Sequence, residues 1–233
     1  PETTAGVSFD PSHPKAAEIV RAQRLEFVQN FTEQQRRSTA QALARSFNSG
    51  TGTIEAARSF QQSIGLTAQQ EQWVASYRSL LETNSREALS RDLRARTFDG
   101  KIKAAIDRNR PLTQKQIDTM VDRYRRNALA MRAETIARTE STQAAAEARE
   151  LALDQMLEQT GIEEARIMET WNANSGSRTR HHHATMNGQK QPKGTPFVDG
   201  LKQKLRYPCD PKAAANTRIN CRCSKTFAII PEA

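Results

Sequence analysis

The sequence predicts a mainly α protein with a small α+β domain near its C-terminus, in which long helices precede a short antiparallel sheet. Apolar residues recur at helical spacing through residues 15–160, where Gly and Pro are few. Beyond Gly161, short segments of strand composition alternate with loops that contain Gly and Pro. Only 36% of the 233 residues are hydrophobic and 6% are aromatic, which favours long, partly solvated helices over a dense core.

The first 112 residues divide into an arm and a helical region. Residues 1–14 contain Pro, Ser, Thr and Gly without apolar periodicity, and we interpret them as a flexible arm. Residues 15–112 form the helical N-terminal region, with helices predicted at 15–47, 53–64, 67–81, 85–96 and 101–107. Thr67 and Gln70 have the spacing of a capping box at the start of the third helix. Phe98, Asp99 and Gly100 predict a break before the last helix.

Residues 113–160 are predicted to form a long connecting helix. Thr113 and Gln116 have the capping-box spacing, and neither Gly nor Pro occurs again before Gly161. A single helix of this length would span on the order of 60 Å at 1.5 Å per residue. Two helices joined near Arg138 and Thr139 are the alternative.

Residues 161–233 are predicted to form a basic α+β domain. Residues 165–171 and 224–230 have strand composition, and we expect these two segments to pair in the sheet. The pairing would bring the loop at 178–183 close to Cys221 and Cys223, although about forty residues separate them in the sequence. This segment holds 12 Lys and Arg against 6 Asp and Glu, within a chain of net charge +9.

This basic excess predicts a polyanionic partner, with nucleic acid the favoured one, because phosphate neutralisation supplies affinity independent of sequence. A merely solubilising surface is the alternative. The chain contains no apolar run near 18 residues, so we expect no membrane span.

Three residues in this domain are candidate metal ligands. His183, Cys221 and Cys223 supply three of the four ligands that tetrahedral zinc prefers, so a structural zinc ion is one interpretation of these residues. The alternative is that the cysteines are small buried residues and that His183 makes a hydrogen bond to the backbone. An odd number of cysteines, two of them spaced C-x-C, favours a reducing compartment over a disulfide framework. Three residues could supply the fourth ligand: His181, Cys209 or Asp210.

Basic and polar residues around this site have two interpretations. The candidates for nucleic-acid contact are Arg178, Arg180, Arg206 and Arg222. Arg178 and Arg180 could instead fix their loop by pairing with Asp210 and backbone carbonyls. Structural roles are expected for Arg138 and Glu140, which could join the long helix to the C-terminal domain, for Trp171, and for Asn220, which is expected to shape the turn before the cysteine pair.

Several of these residues lie in motifs that resemble a known family. The motifs are I-A-R-T-E at 136–140, R-T-R-x-x-H at 178–183, Y-P-x-D-P at 207–211 and N-C-R-C at 220–223, with Trp171 between the first two. Together they resemble the C-terminal domain of the phage Mu F-like minor head proteins, also called phage head morphogenesis proteins. The resemblance is specific from about Ile136 to Ile230 and only compositional before it. His181 and His182 are additions to the family pattern, and Cys209 stands where a small residue is more usual.

The resemblance implies a minor structural protein of a tailed-phage virion rather than an enzyme. Such a protein is made in the host cytoplasm and assembles in several copies in the capsid interior near the portal. Its implied partners are the portal or the major capsid protein, together with packaged double-stranded DNA.

Two other functions stay open at this point. One is a metal-dependent nuclease or toxin-like hydrolase that uses His181 to His183, with Asp199 and Asp210 as the carboxylates at hand. The other is a nucleic-acid-binding adaptor that does not belong to a virion.

Overall fold

A computed structural model describes residues 31–174, 176–177 and 179–231. The predicted arm at 1–14 and the first half of the predicted helix at 15–47 lie outside the described residues. The chain folds into two compact units. Within the described residues, one unit combines the segment that ends at Ala56 with the segment from Thr135 onward, and the other is Ala57–Glu134.

The described residues confirm the mainly α class and the small antiparallel sheet near the C-terminus. The α-helices are α1 (Glu33–Ser49), α2 (Thr53–Phe60), α3 (Ala68–Glu82), α4 (Asp99–Asp107), α5 (Gln114–Thr160), α6 (His181–Ala184) and α7 (Ala215–Arg218). Short 3-10 helices lie at Gln61–Ser63, Arg86–Ser90, Arg96–Phe98 and Glu164–Arg166. The strands are β1 (Ile167–Asn172), β2 (Lys190–Pro192), β3 (Phe197–Val198), β4 (Lys204–Leu205) and β5 (Ser224–Ile229).

The unit Ala57–Glu134 packs α3, α4 and the first part of α5 around an aromatic pair. Tyr77 and Tyr124 stack with ring centroids 4.4 Å apart, and the surrounding apolar residues of all three helices are buried. The predicted capping box at Thr67 and Gln70 is present, with both reciprocal hydrogen bonds formed. These contacts make a helical core of the kind that the apolar periodicity predicts.

The helix predicted at 85–96 is wrong. The chain there forms only the 3-10 helix Arg86–Ser90 and then becomes extended at Arg91. The predicted break at 98–100 is also wrong, because α4 begins at Asp99. Arg94 donates to both carboxylate oxygens of Asp99, at 2.9 and 3.1 Å, so an ion pair anchors the first turn of α4 and Gly100 lies inside the helix.

The segment 113–160 is one continuous helix, α5, rather than two. Its start carries the predicted capping box: Gln116 accepts from the backbone N–H of Thr113 at 2.8 Å, and Thr113 accepts from that of Gln116 at 3.4 Å. A continuous helix is expected where no Gly or Pro interrupts the sequence. No helix among the described residues is both long enough and apolar enough to cross a lipid bilayer.

The predicted pairing of the two strand segments in the C-terminal region is confirmed. β1 and β5 are antiparallel from Ile167 opposite Ile229 to Asn172 opposite Ser224. β2 pairs with the other edge of β1, which gives the order β2-β1-β5, and β3 and β4 form a separate hairpin. Alternation along β1 places Ile167, Glu169 and Trp171 on its buried face. Trp171 anchors a core cluster with Met186, Phe197, Leu205, Cys209, Ala213, Cys221 and Cys223.

Candidate metal centre

The turn that carries the histidines lies against the cysteine pair, as the expected strand pairing requires. His183 is on α6, and Cys221 and Cys223 lie between α7 and β5. All three side chains are buried, with exposures of 3%, 2% and 7%. Among the described residues, this is the one group that brings three potential metal-ligand atoms within 4.8 Å of one another.

The distances within this group fit a shared metal ion. Nδ1 of His183 is 3.6 Å from Sγ of Cys221 and 3.5 Å from Sγ of Cys223. Tetrahedral zinc with a Zn–N bond of about 2.0 Å and a Zn–S bond of about 2.3 Å places nitrogen and sulfur ligands about 3.5 Å apart. Hydrogen bonding explains only one contact, because Nδ1 has one proton to donate or one lone pair to accept with. Two sulfurs at nearly equal distance from one nitrogen are therefore compatible with a metal position between them.

Arg180 holds α6 against the segment that leads to the cysteines. Its guanidinium donates to the carbonyl oxygen of Thr217 at 2.7 Å and also to the carbonyl of Ile219. The same guanidinium is 3.5 Å from Nε2 of His183. A metal ion on Nδ1 would leave the imidazole proton on Nε2, where it would face the Arg180 guanidinium. The distance of 3.5 Å between these two nitrogens is too long for a strong hydrogen bond, so it leaves room for that proton.

Asn220 shapes the turn that presents the cysteine pair, and α5 holds this turn in place. The residue has a positive φ of 56°, a conformation that Asn adopts more readily than most residues. Its backbone N–H donates to Oγ1 of Thr139 at 3.0 Å, and its side-chain amide donates to Oγ1 of Thr135 at 3.3 Å. Arg138 donates to its side-chain oxygen at 3.0 Å. The I-A-R-T-E segment, in which Glu140 is also buried, is thus built into the support of the site.

Both thiols of the pair hold their protons firmly in the metal-free protein. The pKa of Cys221 is raised to about 11, chiefly by its hydrogen bond with the Cys209 thiol, with a further contribution from burial. The pKa of Cys223 is raised by its hydrogen bond with Cys221 and by burial. Because the thiolate is both the nucleophile and the metal ligand, a metal ion would have to displace these two protons in order to bind.

The three candidates for a fourth ligand have different surroundings. Cys209 is fully buried and interacts with the Cys221 thiol, but its Sγ is also 3.2 Å from the carbonyl oxygen of Arg218. Asp210 accepts four hydrogen bonds, three from Arg206 and one from the backbone N–H of Lys212. His181 is exposed on the first turn of α6. None of the three belongs to the group within 4.8 Å.

The arginines selected as nucleic-acid contacts are placed differently from one another. Arg206 forms an ion pair with the buried Asp210, with N and O atoms 2.8 Å apart. Burial raises the pKa of Asp210, but the hydrogen bonds from Arg206 outweigh it and hold that pKa below its usual range. Arg180 is occupied by backbone carbonyls, Arg222 is exposed, and Arg178 lies outside the described residues.

A second polar cluster, not selected from the sequence, joins α5 to the sheet. Lys225 on β5 contacts Glu150 at 2.6 Å and the buried Glu169 at 2.8 Å. Burial raises the pKa of Glu169, and Lys225 offsets only part of this. These residues line a cavity of about 350 Å³, together with Glu147, Lys193, Arg206 and Tyr207. The signal in the sequence was the position of Glu169, which alternates with the apolar Ile167 and Trp171 in a segment of strand composition.

The chain matches no protein-family model, no curated protein and no solved structure. The resemblance of residues 136–230 to the minor head proteins therefore stays a prediction that depends on the motifs themselves.

Proposed function

We propose that this chain is a minor structural, head-morphogenesis protein of a tailed-phage virion. In this proposal it docks at the portal or the capsid interior and contacts packaged double-stranded DNA, and a zinc ion at His183, Cys221 and Cys223 stabilises its C-terminal domain. One observation carries the proposal. The motifs on which the resemblance depends are far apart in the sequence, yet their residues meet around one buried centre.

The contacts between motifs support a structural module. The I-A-R-T-E segment supports the turn at Asn220 through two hydrogen bonds, of Arg138 and Thr139, and Thr135 just before the motif adds a third. Arg180 of the R-T-R-x-x-H motif donates to two carbonyls just before that turn, and His183 faces both cysteines. Within Y-P-x-D-P, Asp210 anchors Arg206. These contacts link three of the four motifs to one another, which is the pattern of a fold support rather than of a substrate cleft.

Zinc suits this donor set and this domain. Two cysteines and one histidine, all buried, belong to the ligand types that structural zinc sites use. The domain has a small apolar core of eight residues, and the free energy of metal binding adds directly to that of folding. When bound, the ion would replace the two thiol protons and hold α6 against the turn at Asn220.

The hydrolase alternative is weaker because its carboxylates are already used by the fold. Oδ1 of Asp199 accepts the backbone N–H groups of Leu201 and Gln203, each at 2.8 Å, and its other oxygen lies 3.3 Å from the Thr217 hydroxyl. Both carboxylate oxygens of Asp210 likewise accept hydrogen bonds, from Arg206 and from the backbone N–H of Lys212. A hydrolytic metal centre needs an open coordination position and a free general base, and neither buried carboxylate is free to act as that base.

The decisive experiment recovers the tagged full-length chain from assembling phage particles and identifies what comes with it. We expect portal or capsid protein to co-purify with it. Recovery of DNA without any portal or capsid protein would favour the non-virion adaptor instead. A nuclease assay with added divalent metals completes the test, because hydrolysis that disappears in His183→Ala would overturn the structural assignment.

A further inference from the structure

Most cations of the C-terminal domain with described contacts are engaged inside the fold. Lys193 pairs with Asp154 at 2.7 Å and with Glu164 at 3.1 Å. Lys225 and Arg206 pair with buried carboxylates, and Arg180 donates to carbonyls. The basic excess read from composition is therefore not spread evenly over the surface. The charges that can meet a polyanion are those at exposed positions, which include Arg222 and several lysines.

Two of these lysines lie on the hairpin of β3 and β4. Lys202 is at its tip and Lys204 is on β4, and both are exposed. In the part of the chain that the structure describes, neither has an acidic partner within ion-pair distance. Lys204 pairs with Val198 across the hairpin. Since Phe197 and Leu205 are the buried pair of the same ladder, Val198 and Lys204 share its outward face.

The tip of the hairpin is held rigidly, although it is exposed. Asp199, buried beneath it, accepts the N–H groups of Leu201 and Gln203. Gly200 donates to the carbonyl oxygen of His182 at 3.1 Å, and a Cβ at this position would lie only 3.0 Å from Cα of His182. A side chain at this position would therefore have to push α6 away by a few tenths of an ångström. A preorganised loop loses little conformational freedom on binding, which favours an interface.

The rigid tip also exposes apolar surface. Leu201 is 51% exposed and Val198 is 36% exposed. Exposed apolar residues beside unpaired lysines resemble the way in which DNA-binding proteins combine phosphate contacts with an apolar side chain inserted at the groove. A β-ribbon is one of the elements that enters DNA grooves.

We propose that the β3–β4 hairpin is the duplex-DNA contact of this domain, with Lys202 and Lys204 on phosphates and Leu201 at the groove. This inference rests on the proposed function, whose DNA contact it assigns to a particular surface. The hairpin replaces Arg180 and Arg206 as the predicted DNA contact. The guanidinium of Arg180 is occupied by backbone carbonyls, and that of Arg206 by Asp210.

The test measures binding of the full chain to a short fluorescent DNA duplex over a range of salt concentrations. The slope of log affinity against log salt is negative, and in Lys202→Gln/Lys204→Gln its magnitude is expected to decrease by about 2. Each lost phosphate contact removes about one unit of slope. The matched control is Lys101→Gln/Lys103→Gln, which removes the same charge from exposed positions on α4 in the other unit and should keep the slope. Leu201→Ser should weaken binding and leave the slope unchanged.

The outcomes separate the two proposals. If the unmodified chain does not bind duplex DNA, both the DNA contact in the proposed function and the hairpin assignment fail. If it binds, but the hairpin variant and the α4 control have the same slope, the hairpin assignment fails alone. Loss of portal or capsid co-purification in the hairpin variant, with DNA binding intact, would likewise overturn it in favour of a protein-docking surface. Equal thermal midpoints establish that the variants are folded.

Discussion

Removal of the bound metal is expected to destabilise the C-terminal unit strongly. Zinc at a free concentration about 100-fold above its dissociation constant would stabilise the folded state by about 2.7 kcal/mol. The described part of the chain from Thr135 onward is roughly 100 residues long, and for a domain of that size 1 kcal/mol shifts the melting temperature by about 4–8 °C. A chelator should therefore lower the midpoint of this unit by about 10–20 °C.

Thermal unfolding followed by tryptophan fluorescence can measure this change. Trp171 lies in the same core cluster as Cys221 and Cys223, so its emission reports on the unit that holds the metal. Trp73 belongs to the core of the other unit and is replaced by Phe to remove its signal. Metal content per chain is measured on the same samples. In a cobalt-substituted sample, a thiolate-to-cobalt charge-transfer band would establish sulfur ligation directly.

Two cysteine variants separate coordination from packing. Cys221→Ser removes a ligand and should lose both the bound metal and the response to chelator. Cys209→Ser should keep both, because Cys209 lies outside the group of close donor atoms and its thiol faces the Arg218 carbonyl. The reasoning is refuted if the wild-type protein purifies without metal and melts at the same temperature with and without added zinc. Metal loss in Cys209→Ser would instead identify that thiol as the fourth ligand.

Three further predictions concern the supporting structure. Asp210→Asn should destabilise the protein by about 2 kcal/mol at pH 7, since it breaks charge-assisted hydrogen bonds to Arg206. The folded pKa of Asp210 is lowered, so the difference in the free energy of unfolding between wild type and Asp210→Asn should shrink as the pH falls below about 4. Urea titrations at several pH values measure this difference. Glu169 has a raised folded pKa despite its contact with Lys225, so wild type should lose stability relative to Glu169→Gln as the pH rises above about 4.5. A difference that stays constant with pH would contradict this. Tyr77→Phe should stabilise the protein by about 1 kcal/mol in thermal unfolding, because the buried hydroxyl has no hydrogen-bond partner among the described residues; a destabilised variant would imply a partner.

Local chemistry accounts for the features that could be predicted correctly from the sequence. The capping boxes at Thr67 and Thr113 depend on side chains three residues apart, and both are present. The continuity of α5 follows from the absence of Gly and Pro. The pairing of β1 with β5 follows from strand composition at the two ends of one short domain. The predicted helix at 85–96 was wrong because the chain becomes extended at Arg91, where no Gly or Pro signals a break.

The sequence by itself determined which residue types were available at the site: three histidines in a basic loop and a C-x-C pair beyond it. Only the tertiary structure decided how they are used. It placed both sulfurs at nearly equal distances from one nitrogen, directed Arg206 to Asp210, and left Lys202 and Lys204 exposed. The physical reason is that the charge and ligand type of a side chain are local properties. Its burial and its partners, in contrast, depend on residues that are distant in the sequence and meet only when the strands pair.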